Sequence, residues 1–151
     1  YDVAVQFDGD GQHSAAYLAK MADTMQETGA DMVIGSRFIE KEGFQSSGLR
    51  RIGIRYFTGL IKLLTGARIT DPTSGMRMVN RSLLKKFIDE YPKDYPEPES
   101  VVTVLSEKYK VIEIPVIMNE REEGVSSISL KNSVYYMIKV SFAILIARMK
   151  R

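Results

Sequence analysis

The chain contains no cysteine. Disulfides and thiolate metal sites are thereby excluded, and the redox compartment is left open. It contains one histidine. A zinc site built from several histidines is therefore excluded, and any metal must be a hard cation on oxygen ligands. Excess charge of one sign is also lacking. A net charge of +2 is too small to argue for nucleic acid, and no nucleic-acid partner is expected. No secretory leader is read at the start, because Tyr1-Asp2-Val3 runs straight into a strand pattern. Nor does the apolar stretch 134–147 reach the roughly 20 residues that a bilayer-spanning helix needs.

What is present suits a single globular domain: 151 residues, 44% hydrophobic and 26% charged. Residues 3–7 read as a short buried strand. The strand feeds the stretch Gln6-Phe7-Asp8-Gly9-Asp10-Gly11-Gln12-His13. In extended chain, residues i and i+2 point the same way, so Asp8 and Asp10 can face one ion. Gly9 and Gly11 clear side chains from where a bulky ligand must approach the backbone. Gln12 adds a neutral oxygen. Mg2+ or Mn2+ takes one or two such carboxylates and shares the rest of its shell with water and substrate phosphates. Asp-Gly is also a common turn dipeptide. Its placement directly after an apolar strand favours a metal claw.

Downstream, Ser14 is the expected N-cap of a helix over 15–27. Its apolar positions Ala15, Leu18, Ala19, Ala22 and Met25 fall at three- and four-residue spacing, and Gly29 closes it. Residues 31–36 read as a strand. Strand, helix, strand in this order implies a parallel βαβ pair with a right-handed crossover. A polar loop over 37–48 precedes a helix over 49–64, with Arg50, Arg51, Arg55 and Lys62 on its basic side. A turn-rich segment and a short strand fill 69–79, and Asn80 or Ser82 caps a helix that ends near Glu90. Residues 91–98 hold three prolines, which speaks against regular helix or central strand there. A helix over 99–108 and a strand over 111–118 follow, then a polar loop over 119–128.

The last segment differs from the rest. Within 134–147 only Lys139 is charged, and Lys131, Arg148, Lys150 and Arg151 flank the stretch. Such a helix lies in a membrane interface or packs on the domain as a terminal helix. The chain thus divides into 1–129 and 130–151. A strand at residue 3 that ends on a loaded acidic turn looks like the middle of an α/β domain, so an upstream half is expected.

Three further groups of residues can carry chemistry. Arg37 follows a strand C-terminus, where α/β sheets place ligands, and is read as a phosphate contact. In Asp71-Pro72-Thr73-Ser74-Gly75-Met76-Arg77, proline sets the turn and Gly75 permits close approach. Asp71, Thr73 and Ser74 can line the acceptor side, and Arg77 is either a substrate contact or a structural pair. Glu97 and Glu99 precede a helix, as acid–base groups or as acids that complement its dipole.

Four strings occur in this order: FDGDGQH, GSRF at 35–38, DPTSGMR at 71–77 and ER-x-x-G-x-S at 120–126. Together they resemble glycosyltransferase family 2, and within it the branch of dolichyl-phosphate mannose synthase and bacterial polyprenyl-phosphate glycosyltransferases. The resemblance covers nearly the whole chain. It implies an α/β GT-A fold, a mixed, mostly parallel sheet flanked by helices, of which this chain is the C-terminal portion. It also implies inverting transfer from a nucleotide-diphosphate sugar. Asp8, Asp10 and Gln12 would hold Mg2+ or Mn2+ and the donor diphosphate. Arg37, Asp71, Ser74 and Arg77 would contact substrate, and Asp10, Glu97 and Glu99 would be the catalytic candidates.

By the same resemblance, Arg121, Gly124 and Ser126 would face the acceptor phosphate. A planar guanidinium suits a phosphate because it gives two charged hydrogen bonds at once. Ser127 stands where the family pattern often carries lysine, and Lys131 is the nearby candidate to replace it. The acceptor is a polyprenyl phosphate, which needs no base, or a sugar hydroxyl, which does. A non-catalytic binding module is the third reading. The implied location is peripheral, on the cytoplasmic face of a membrane, and a homo-oligomer is left open.

Overall fold

A computed structural model describes residues 1–9, 11–44, 48–92, 96–119 and 130–149, with backbone alone for Leu49 and residues 130–133. Four strands and five helices follow in the order β1 (Val3–Gln6), α1 (Tyr17–Thr28), β2 (Met32–Ser36), α2 (Gly48–Thr65), β3 (Arg77–Asn80), α3 (Arg81–Glu90), α4 (Pro96–Ser106), β4 (Val111–Pro115) and α5 (Leu130–Met149).

The strands form one mixed sheet in the order β1-β3-β2-β4. β3 runs antiparallel to both β1 and β2, whereas β2 and β4 are parallel. Three of the four strands therefore point the same way. The expected β1–β2 pair is corrected in one respect. The two strands share a direction, but β3 lies between them and takes the hydrogen bonds of both.

Alternation along the strands splits the core into two layers. Val33, Met78 and Ile114 face α1 and pack with Met21 and Met25. Met32, Ile34 and Val79 face the other side and pack with Phe57 and Ile61 of α2, Leu83 of α3, Val101, Val102 and Val104 of α4, and Val140 and Ile144 of α5. Helices thus cover both sheet faces, which is the arrangement expected of a GT-A fold.

Local chemistry explains most boundaries. Gly29 ends α1 at φ 64, and its amide bonds back to the Met25 carbonyl. Asn80 caps α3 by accepting the Leu83 amide at 2.9 Å. Other boundaries differ from expectation: β4 stops at Pro115 rather than 118, and two helix starts depart for local reasons. Ser14 does not cap α1: its hydroxyl accepts the Ala16 amide and its carbonyl the Tyr17 amide, a turn just upstream of the helix. α4 begins at Pro96, so Pro96 and Pro98 sit inside the helix. First-turn residues have no intrahelical acceptor for their N–H, so proline is tolerated there.

Candidate active site

The site grows from the ends of β1 and β3. Their antiparallel register sets Val5 opposite Met78 and Gln6 opposite Arg77. Continued past the strand ends, that register sets Asp8 opposite Gly75. The two are in contact: a Cβ added at Gly75 would overlap the Asp8 carboxylate. Asp8 and the DPTSGMR turn therefore form one surface. The Asp8 side chain is 49% exposed.

Gln12 is buried. Its Nε2 donates to the Asn119 backbone carbonyl at 3.2 Å, and its backbone carbonyl accepts the Asn119 amide at 2.9 Å. The loop that follows the claw is thereby tied to the chain beyond β4. Asp10 lies outside the described residues, as do Arg121, Gly124 and Ser126. Lys131 falls in the first turn of α5.

Arg37 and Asp71, both expected at substrate, meet each other in the interior. Nε and Nη2 of Arg37 donate to the two carboxylate oxygens of Asp71, each at 2.6 Å, and the Arg37 amide adds a bond at 3.2 Å. Arg37 also donates to Thr73 Oγ1 at 3.1 Å. Ser74 is buried as well, donating to the Gly35 carbonyl at 2.6 Å and accepting the Met76 amide. Glu113 of β4 holds the turn from below. Its two oxygens accept the Thr70 and Asp71 amides at 2.7 and 2.8 Å and the Thr70 hydroxyl at 3.0 Å. Burial raises the Glu113 carboxyl above its ordinary value, against the pull of these bonds.

Arg77 is fully enclosed. It donates to the carbonyls of Ser74, Pro72 and Glu97 and to Ser100 Oγ, at 2.7–2.8 Å. Burial lowers its guanidinium from the ordinary value, and Glu97, Tyr91, Asp71 and Asp8 pull it back up. One buried cation thus sits in the field of carboxylates from the claw, the turn and α4. Glu97 and Glu99 occupy the first turn of α4. Glu97 Oε1 accepts Gln6 Nε2 at 3.4 Å, and the Tyr91 hydroxyl donates to Gln6 Oε1 at 2.9 Å. Burial raises the Tyr91 hydroxyl, Arg77 opposes that shift and Glu97 adds to it.

Sequence reasoning missed Glu113 and His13. Glu113 sits among apolar neighbours in Val111–Pro115, a polar interruption that could have been taken as a signal. His13 is buried behind Asp8, and nothing in the sequence announces that.

A hard divalent cation fits what is described here. Asp8 offers a half-exposed carboxylate, and the glycine seat against it would be filled by any side chain. Among the described residues no three acids or histidines cluster as a ready-made metal site, so such a cation needs Asp10 or substrate oxygens as well.

Comparison with known proteins bears on the same stretch of sequence. The profile of glycosyl transferase family 2 matches residues 1–88, which contain the claw, GSRF and the DPTSGMR turn. The chain is 31% identical over 146 residues to the polyprenol monophosphomannose synthase of Mycolicibacterium smegmatis, covering 93% of this chain and 54% of that protein. It is 30% identical over 118 residues to the UDP-N-acetylglucosamine–dolichyl-phosphate N-acetylglucosaminyltransferase of Methanococcus voltae, covering 76% and 47%. It is 28% identical over 134 residues to the undecaprenyl-phosphate mannosyltransferase of Micrococcus luteus, covering 85% and 54%. The chain spans about half the length of these curated relatives. Acid claw, glycine seat and buried Arg37–Asp71 pair all lie in the stretch that the profile covers, and the chain belongs to glycosyl transferase family 2.

Proposed function

We propose that this chain carries the metal- and diphosphate-gripping part of an enzyme that moves a sugar, with inversion, from a nucleotide-diphosphate sugar to a polyprenyl phosphate. The contact between Asp8 and Gly75 carries the donor half of the reading. It joins two motifs from distant parts of the sequence and leaves a half-exposed carboxylate beside a surface that only glycine keeps open. A Mg2+ or Mn2+ ion held there supplies positive charge against the departing diphosphate. The chain's own part is to orient Asp8, with Asp10 and Gln12 as its partners in the claw. The Arg37–Asp71 pair and Glu113 hold the turn that forms the seat.

The acceptor half rests on the relatives, whose names specify polyprenol, dolichyl phosphate and undecaprenyl phosphate. An ionised phosphate is already a nucleophile and needs no base. Arg121, Gly124, Ser126 and Lys131 are assigned to it.

A peripheral position at the cytoplasmic face of a membrane is part of the proposal. α2 and α5 contain no Asp or Glu, whereas Arg50, Arg51, Arg55 and Lys62 lie on α2 and Lys131, Lys139 and Arg148 on α5. The two helices are joined by a Tyr56–Ser141 hydrogen bond at 3.0 Å. They expose Ile52 and Leu63 of α2 and Tyr135, Ile138, Phe142 and Ile146 of α5. A surface both basic and apolar suits anionic lipid. No helix among the described residues is long and apolar enough to cross a membrane.

The test is an assay of the full-length enzyme with radiolabelled nucleotide sugar, polyprenyl phosphate and Mn2+. Label is expected in the lipid fraction and is lost in Asp8→Ala. Label in glycan instead, abolished by Glu97→Gln or Glu99→Gln, would replace this reading with a sugar-hydroxyl acceptor and a carboxylate base. No transfer and no Mn2+ binding would leave a non-catalytic module.

A further inference from the structure

His13, the single histidine of the chain, has no role in the scheme above. Its side chain is 1% exposed, and Nε2 stands 3.7 Å from Asp8 Oδ2. The ring packs against Phe7, with centroids 5.9 Å apart and planes tilted by 56°. Among the described residues neither ring nitrogen has a hydrogen-bond partner. An unpaired buried polar group costs about 1–3 kcal/mol, so its retention calls for an explanation.

The surroundings supply one. Asp8 stands between two walls, the Gly75 backbone on one side and the His13 edge on the other. The 3.7 Å separation lies just beyond hydrogen-bond length. A small rotation of the carboxylate closes it. Nε2 carries the proton in this pairing, because two lone pairs facing each other would repel. We propose that His13 is a positioning residue of the donor site. Its Nε2–H takes hold of Asp8 Oδ2 when the site is loaded, which commits the other carboxylate oxygen to the cation. The inference rests on the donor-site reading and adds to it a buried donor that aims the claw. Ligating carboxylates are commonly fixed by a second hydrogen bond of this kind.

The test uses Mn2+ alone as probe, with free Mn2+ followed by electron paramagnetic resonance during titration of the chain. His13→Phe keeps a ring against Phe7 and removes both nitrogens. It is expected to weaken Mn2+ binding about tenfold. His13→Gln restores an N–H near the position of Nε2 and is expected to keep the parent affinity. His13→Phe is also expected to melt no lower than the parent, since it removes an unpaired buried group; a merely structural histidine would show the opposite. Parent affinity in His13→Phe, or equal loss in both variants, would overturn the proposal. A parent that binds no Mn2+ would defeat the donor-site reading and this role together, whereas a loss of the His13→Phe effect alone defeats only this one. Should His13→Phe fail to fold, the one imidazole still reports in a long-range 1H–15N spectrum of the parent. An Nε2–H tautomer supports the proposal, and an Nδ1–H tautomer overturns it.

Discussion

The Asp8 carboxylate occupies the space in which Gly75 would carry a Cβ. The antiparallel β1–β3 register sets the two opposite each other just past the strand ends. Gly75 is not in the left-handed backbone region, so it is glycine for the sake of that neighbour rather than for its φ.

Gly75→Ala therefore separates function from stability. Backbone strain is absent, and Asp8, being half exposed, can swing aside. We expect a stability change within about 1 kcal/mol and a fall in sugar transfer of about a hundredfold, because a misaimed claw misplaces the diphosphate. Thermal unfolding and single-turnover transfer measure the two. A variant of full activity would show that Asp8 does not need its seat.

Asp71→Asn leaves the Arg37 guanidinium buried without its counter-charge. Both side chains are almost fully enclosed. We expect a loss of about 3–5 kcal/mol, read from urea unfolding. The apolar double replacement Arg37→Met with Asp71→Leu should cost less than the single change, because no charge is then stranded.

Glu113 sets a pH dependence of known sign. Burial raises its folded value above the ordinary 4.5. The folded state then holds the proton to higher pH than the unfolded state does. The contribution of this group is fully present below about 4.5 and is lost as pH rises through the raised value. Glu113→Gln removes that slope. It also puts an amide N–H against the Thr70 or Asp71 donors, at a cost of about 1–3 kcal/mol. The stability difference between parent and variant should therefore shrink as pH rises, which chemical unfolding at several pH values checks.

On α5 the two sides of one helix should answer differently. Phe142 is 62% exposed and Ile144 is 0% exposed. Phe142→Ser is expected to leave stability within about 0.5 kcal/mol. It should weaken binding to vesicles of phosphatidylcholine and phosphatidylglycerol on the order of tenfold. Ile144→Ala should instead cost about 2–5 kcal/mol of stability. Vesicle binding that is indifferent to Phe142→Ser and to salt would remove the membrane from the proposal.

Much of the fold was legible because it depends on near neighbours. The spacing of Leu18, Ala22 and Met25 marks α1, and Gly29 stops it. Asn80 caps α3 through an amide three residues on. Two local rules mislead: a serine just ahead of a helix need not cap it, as Ser14 shows, and proline in a first turn, as at Pro96 and Pro98, does not break a helix.

The site was legible as a set of residues but not as an arrangement. The chain by itself determined the acidic claw, the glycine of the turn, the basic side of α2 and the apolar run of α5. These depend on residue type and on spacing within a few positions. Tertiary structure alone decided that β3 enters antiparallel between β1 and β2, since local periodicity carries no information about which strand a partner is. That insertion seats Asp8 on Gly75. It was likewise only in the folded chain that Arg37 turned inward to Asp71 and His13 came to lie buried behind Asp8. Long-range packing decides which charges are buried, and so which of them meet each other and which are left facing a substrate.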